Sequence, residues 1–167
     1  MPTMPKNESE MYAPTRDWLR RILVPRFRGY RVVAQDTSGV ALYRWIEQQK
    51  LQEYFPEYLA YDIRVDVTAV AAGKTQAELS FVECKLKPIS LRDLSQLLGY
   101  CRVAQPVSAW IISPTGISTH LSYLLETYRR TDILEYGPNR LIRVATWNHD
   151  RLEIESRTMI PKGGLIG

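Results

Sequence analysis

The sequence predicts an α/β fold in which a mixed central sheet is flanked by helices, and three observations carry this prediction. Two strand-like segments joined by a short turn occupy residues 61–85. A helix with a capping-box start at Ser90 follows them. An apolar strand over residues 107–112 follows that helix. With a helix and a strand before the hairpin, the order becomes αβββαβ in a single domain of residues 1–167, long enough to bury a real core.

The segment before the hairpin supplies the first helix and strand. Asn7 can cap a helix that runs to about Leu23, with Pro14 as a tolerated irregularity. One stripe of this helix, spaced three or four residues apart, contains Glu8, Tyr12, Thr15, Leu19 and Ile22. Residues 30–35 are predicted to form a strand, and residues 39–56 a helical insert.

The hairpin has a definite predicted register. Its first strand alternates polar and apolar residues over 61–70, and its second, residues 79–85, ends in Glu-x-Lys. Gly73 and Gln76 are expected to flank a two-residue loop. Counting outward from that loop fixes which residues of the two strands face each other.

This register places two carboxylates and a lysine on one patch. Asp66 lies opposite Glu83, with Cβ atoms about 5 Å apart. Glu83 and Lys85 share a face because side chains two residues apart on a strand point the same way. Two carboxylates suit a hard divalent cation, and a lysine beside them can act on water or phosphate.

The pattern resembles the PD-(D/E)xK nucleases, the restriction-endonuclease-like superfamily, where an aspartate on one strand and Glu-x-Lys on the next hold a metal. The resemblance implies that Asp66, Glu83 and the backbone carbonyl of Cys84 bind Mg²⁺, for which Mn²⁺ can substitute. It also implies that Lys85 orients or deprotonates the attacking water. The αβββαβ order is that of the superfamily core.

Two assignments stay open at this point. Val65 stands where the superfamily motif has a proline, which leaves Asp62 as an alternative to Asp66. Asp66 is preferred because the strand continues beyond it toward the turn. The first helix of several restriction-like nucleases sends a glutamate to the active site, and the resemblance assigns that role to Glu8, with Glu10 as the alternative.

The helix after the hairpin carries a further element of the resemblance. Its apolar stripe is predicted to be Leu91, Leu94, Leu98 and Cys101, with Leu97 beside it. Arg92, Gln96 and Tyr100 follow one another four residues apart on a neighbouring ridge. Gln96-x-x-x-Tyr100 is similar to the Gln-x-x-x-Tyr element of RecB-like members, which lies beside the active site.

The charge distribution favours a polyanionic partner. The net charge is +4 and the isoelectric point is about 9.1. Arginine, whose planar guanidinium binds phosphate through two hydrogen bonds, outnumbers lysine near the N-terminus. We expect Arg16 and Arg20, which share a helix ridge, and also Arg92 to contact the DNA backbone.

Composition argues against a membrane or disulfide-stabilised protein. No segment approaches the roughly 20 apolar residues of a membrane span, and the N-terminus lacks the apolar region of a signal peptide. The two cysteines, Cys84 and Cys101, have the positions of small core residues. These features predict a cytoplasmic protein without a membrane partner.

The C-terminal third is predicted to contain a helix over residues 118–130, strands over 141–147 and 151–155, and a frayed tail over 161–167.

Taken with the resemblance, the whole sequence predicts a Mg²⁺-dependent nuclease that hydrolyses DNA in defence or repair. The alternative is a non-catalytic nucleic-acid-binding module, or a structural subunit, that keeps the fold. No separate specificity domain is visible, so a homodimer or a partner subunit is expected to supply target choice.

Overall fold

The structure, a computed structural model, describes residues 3–166 and has a mixed α/β fold. The helices are α1 (Ser9–Arg26), α2 (Leu42–Gln48), α3 (Leu91–Ala104) and α4 (Thr119–Ser122), the last continued by a π-helical turn over Tyr123–Thr127. The strands are β1 (Arg31–Asp36), β2 (Val67–Ala72), β3 (Ala77–Cys84), β4 (Ser108–Ser113), β5 (Glu135–Gly137), β6 (Arg140–Leu141), β7 (Arg143–Asn148) and β8 (Glu153–Ile154). Helices and strands up to β4 follow the predicted order, with α2 inside the predicted insert 39–56.

The central sheet is mixed and has the strand order β1–β2–β3–β4–β7–β8. Strands β1, β2 and β3 pair antiparallel, β3, β4 and β7 run parallel, and β8 is antiparallel to β7. The carboxyl ends of the three parallel strands therefore meet at one edge of the sheet, called the carboxyl edge below. Because β2 runs the opposite way to β3, it begins at this same edge.

Apolar clusters cover both faces of the sheet. Helix α1 packs on one face, where Trp18 makes T-shaped contacts with Trp110 of β4 and Trp147 of β7, at ring-centroid distances of 5.1 and 6.1 Å. Helices α2, α3 and α4 cover the other face, packing on residues such as Leu79 and Phe81 of β3. The alternation of side chains along β3 thus sends odd-numbered residues toward α3 and even-numbered ones toward α1.

Strand β2 begins at Val67, so the predicted strand start at residue 61 was wrong. Residues before Val67 are extended, but the backbone carbonyls of Tyr61 and Ile63 accept hydrogen bonds from Tyr43 and Leu42 at the start of α2. The alternation in the sequence is real, because Tyr61, Ile63 and Val65 are buried. It reflects packing beneath α2 rather than pairing with another strand.

The capping box at α3 is confirmed, but part of the predicted apolar stripe was wrong. The Asp93 N–H donates to Ser90 Oγ at 3.2 Å, and the Ser90 N–H donates to Asp93 Oδ2 at 3.0 Å. The buried residues of α3 are Leu94, Leu97, Cys101 and Ala104, and Leu98 is only partly buried. Leu91, in the first turn, is 47% exposed. The first turn lies past the carboxyl edge of the sheet, and only the later turns of α3 cover the sheet.

The C-terminal third differs most from prediction. The helix after β4 ends before residue 130 in a π-helical turn, and the small antiparallel pair of β5 and β6 was not predicted. Leu165 and Ile166 pack against the α1 side of the core, so a frayed tail is wrong for these residues. Residues 1, 2 and 167, which the predicted domain and tail included, lie outside the described part of the chain.

Within residues 3–166, no helix combines the length and the apolar composition needed to cross a membrane.

Candidate functional site

The hairpin closes in the predicted register. The Gly73 N–H donates to the Gln76 carbonyl at 2.8 Å, which leaves two residues in the loop. The last residue pair of the hairpin at the carboxyl edge is Val67 with Val82. Asp66 and Glu83, one position farther out, therefore face each other as the sequence predicted.

Reciprocal hydrogen bonds hold the two carboxylates where strand pairing stops. The Asp66 N–H donates to Glu83 Oε1 at 3.2 Å, and the Cys84 N–H donates to Asp66 Oδ2 at 2.9 Å. Each carboxylate is thus fixed by the backbone of the opposite strand. Asp62, the alternative aspartate, is exposed in the segment before β2, so Asp66 is the one beside Glu83.

Both carboxyl groups have raised pKa values. Burial raises the pKa of Glu83, the charge of Asp66 raises it further, and the charge of Lys85 opposes both effects. Burial also raises the pKa of Asp66, against the lowering effects of the Cys84 N–H and the Lys85 charge. Two partly buried carboxyl groups in contact favour a shared proton or a bound cation over two bare negative charges.

Lys85 lies between the carboxylates and the start of α3. Its ammonium Nζ is 3.9 Å from Asp93 Oδ1, and its side chain is 23% exposed. Asp93 is itself held by the capping box, so the first turn of α3 limits where the lysine can reach. Lys85 therefore adds a positive charge beside Asp66 and Glu83, and part of its side chain remains accessible to solvent.

Helix α1 brings two further side chains to the site. The Tyr12 hydroxyl interacts with the Asp66 carboxylate, and burial together with that charge raises the pKa of Tyr12. Glu8, one turn earlier and half-buried, acts electrostatically on Tyr12 and on Cys84. Glu10 is exposed and accepts a hydrogen bond from the Lys6 N–H at 2.8 Å, so Glu8 is the glutamate of this pair that faces the site.

Tyr12 is the site residue that sequence analysis missed. It was assigned only to the stripe of α1, although its four-residue spacing from Glu8 was a usable signal. Its hydroxyl keeps its proton and can donate to Asp66, which fixes one lone pair of that carboxylate.

The ridge of α3 carries the predicted Gln-x-x-x-Tyr element. Gln96 Nε2 donates to the Tyr100 hydroxyl at 3.1 Å, which joins the two residues of the predicted element. Tyr100 is half-buried against the core, whereas Gln96 and Arg92 are exposed. The contact between α3 and Lys85 comes from Asp93 instead. A position of Gln96, Tyr100 and Arg92 beside the active site therefore stays a prediction.

The predicted arginines continue the ridge that begins at Glu8. Tyr12, Arg16 and Arg20 follow at four-residue intervals, each about 6 Å farther along α1. Arg16 Nε donates to Asp17 Oδ1 at 3.0 Å and its side chain stays 40% exposed, while Arg20 is exposed. The ridge thus leads from the carboxylate site to two accessible guanidinium groups.

The donor set fits a hard cation that keeps water ligands. In the described residues no three His, Cys, Asp or Glu side chains form a ready-made metal site. The oxygens that could bind a cation are the Asp66 and Glu83 carboxylates and the Cys84 carbonyl, which faces the same side of β3 as the Cys84 N–H. Mg²⁺ is usually held by one or two carboxylates and several waters, which matches this set.

No protein-family model matches this sequence, and no curated protein matches it.

Proposed function

We propose that the protein is a metal-dependent nuclease that hydrolyses DNA phosphodiester bonds. The observation that carries this proposal is the reciprocal bonding of Asp66 and Glu83, with Lys85 two residues farther along the same face. The order of α1, β1, β2, β3, α3 and β4 supports a restriction-endonuclease-like core, in which these positions are the catalytic ones.

Asp66 and Glu83, with the Cys84 carbonyl, would hold Mg²⁺ or Mn²⁺. When bound, the cation would polarise the scissile phosphate and lower the pKa of a water molecule. Lys85 would orient or deprotonate the attacking water and offset the negative charge that develops on phosphorus. Tyr12 would keep Asp66 oriented through its hydroxyl group. Glu8, at the N-terminus of α1, would complete the site or bind a second cation.

The surroundings of the site supply candidate contacts to DNA. Arg16 and Arg20 extend from the site along α1, and Gln96 and Tyr100, which are hydrogen-bonded to each other on α3, would position the phosphate backbone. A strand lying over the carboxyl edge would meet both ridges. Specificity would then come from a second copy of the chain or from a partner subunit.

The direct test is cleavage of plasmid, linear and branched DNA with and without Mg²⁺ or Mn²⁺. We expect cleavage with either ion and none with EDTA, because two carboxylates beside one lysine leave the phosphate charge largely uncompensated. Calorimetric titration of Mg²⁺ should show one weak site that is absent from Asp66→Asn. Cleavage that continues in EDTA would contradict the proposal.

A non-catalytic DNA-binding module is the second candidate, favoured by the exposed arginine ridge of α1. Arg16→Ala and Arg20→Ala are each expected to reduce the slope of log affinity against log salt by about 0.9 on duplex DNA, because each removes one phosphate contact. Metal affinity should stay unchanged. The measurement is fluorescence anisotropy across a salt series.

The control for this experiment is Arg102→Ala, an exposed arginine in the last turn of α3. It lies at the opposite end of α3 from the carboxyl edge and should leave the slope unaltered. Salt-dependent binding without metal binding or cleavage would favour the module. A salt slope that Arg16→Ala and Arg20→Ala leave unchanged would remove α1 from the DNA interface.

A further inference from the structure

A cavity of about 490 Å³ opens beside β7, outside the carboxylate site. Its lining includes two cationic side chains, Arg157 and Lys162, and two branched apolar ones, Ile117 and Ile160. Thr146, near the carboxyl end of β7, forms part of its wall. The volume is that of a site for a small molecule or for one unit of a polymer.

The cavity is close to Lys85 across the sheet. Ser113 of β4 is in register with Thr146 of β7, and the Lys85 N–H donates to the carbonyl of Ile112, the residue before Ser113. Lys85, Ser113 and Thr146 therefore form one row across the carboxyl edge. Side chains in register project to the same face, and Thr146 is two strand spacings, about 10 Å, from Lys85.

The side of the cavity that carries the two cationic residues is formed where the edge of the sheet becomes irregular. Ile160 pairs with Val144, but between β8 and Ile160 the chain leaves the sheet in a 3₁₀ turn over Ser156–Thr158. Thr158 Oγ1 accepts the Thr146 N–H at 2.9 Å in place of a strand partner. An irregularity of this kind re-aims a side chain, and here the Arg157 side chain projects 86% exposed.

The charges around the cavity favour an anion. Arg157 makes a long ion pair with Glu155, at 3.6 Å, which leaves most of its guanidinium donors open to a ligand. The Lys162 ammonium donates to the Arg157 carbonyl, which brings the two cations to the same rim. The acidic residue in the lining, Glu126, accepts a hydrogen bond from the Ser122 hydroxyl at 2.9 Å.

We infer that this cavity binds one nucleotide unit of a nucleic acid strand, with its phosphate between Arg157 and Lys162 and its base against Ile117 and Ile160. The nucleic acid identity of the ligand rests on the proposed function. The strand positions of Lys85 and Thr146, the latter in the cavity wall, are about 10 Å apart, which corresponds to about three nucleotides of a duplex strand at 3.4 Å each. The cavity is then a subsite on the same strand that the carboxylate site would cleave.

The test uses the Glu83→Ala protein without divalent ions, so that cleavage does not interfere with binding. A fluorescent single-stranded octamer is titrated across a salt series. Arg157→Ala and Lys162→Ala are each expected to weaken binding about tenfold and to reduce the salt slope by about 0.7. Glu126→Gln should strengthen binding, because it removes the negative charge in the lining.

Arg102→Ala is again the matched control and should leave octamer affinity unchanged. Deoxyadenosine monophosphate should compete with the octamer in the parent protein, and should shift the amide resonances of Ile117 and Thr146. Unchanged binding in the Arg157→Ala, Lys162→Ala double variant would overturn the inference, as would equal weakening by Arg102→Ala. Binding of the mononucleotide without binding of the octamer would also overturn it.

These outcomes separate the subsite from the nuclease proposal. If the wild-type protein cleaves DNA with Mg²⁺ but the double variant binds the octamer normally, the subsite is wrong and the nuclease stands. If binding depends on Arg157 and Lys162 but no metal-dependent cleavage occurs, the nuclease is wrong and the subsite stands.

Discussion

Glu83→Ala is expected to abolish metal-dependent cleavage of DNA, lowering the rate at least about a thousandfold, because it removes several kcal/mol of transition-state stabilisation. Glu83 supplies one of two carboxylates to the proposed cation, and its Oε1 also anchors the Asp66 backbone. DNA binding should survive, because the phosphate contacts proposed for α1 lie elsewhere. Single-turnover cleavage and anisotropy measure the two properties separately.

Lys85→Ala should lower the rate about a hundredfold or more while metal affinity is kept, since loss of one preorganised charge at a phosphoryl centre has effects of this size. Lys87→Ala is the matched control, because Lys87 is an exposed lysine two residues farther along. Glu78→Ala, earlier on β3, is the control for Glu83→Ala. Equal activity of Glu83→Ala, Lys85→Ala and wild-type protein would rule out this site.

The register of the hairpin could be predicted from the sequence, because the two-residue turn decides which residues of the two strands face each other. Once Gly73 and Gln76 close a two-residue loop, every facing pair follows, including Asp66 with Glu83. A slip of one residue would have moved the apolar residues of a buried strand to the wrong face. The capping box at Ser90 was equally predictable, because it depends on two residues three apart and on nothing distant.

Features that depend on distant packing were not predictable. Alternation from Tyr61 indicated an extended chain, but only contact with the start of α2 decides that this segment is not a strand. Burial of Leu97 in place of Leu91 depends on where α3 crosses the sheet edge. The approach of Tyr12 to Asp66 likewise requires α1 to lie across β2, which no local pattern encodes.

The raised pKa of Glu83 leads to a second large effect, on stability. The pKa of Glu83 is higher in the folded protein than in the unfolded protein, so folding favours the protonated carboxyl group. The resulting stabilisation is complete below the pKa of the unfolded state, near 4.5. That stabilisation is lost as pH rises through the folded pKa, about 8. Between these values the metal-free protein must either keep a proton on the Asp66–Glu83 pair or bury a second negative charge.

Glu83→Gln is therefore expected to stabilise the metal-free protein at pH 9 by on the order of 2 kcal/mol, since each pKa unit corresponds to about 1.4 kcal/mol and part of the site faces solvent. For a domain of this size that is roughly a 4–8 °C rise in Tm. At pH 4 the gain should disappear, because Glu83 is protonated in both folded and unfolded states. Thermal denaturation in EDTA across this pH range measures the difference.

Glu78→Gln is the matched control, because Glu78 lies on the same strand five residues away, about 17 Å from Glu83. It should leave the dependence of Tm on pH unaltered. Mg²⁺ at pH 9 should then make the wild-type protein more stable than Glu83→Gln. It should raise the Tm of the wild-type protein well above its value in EDTA, and that of Glu83→Gln much less, since a ligand that binds only the folded state stabilises it. A difference between Glu83→Gln and wild type that stays constant from pH 4 to pH 9 would contradict the paired-carboxyl interpretation. A pH-dependent difference without any Mg²⁺ response would keep the buried pair but remove its proposed role in metal binding.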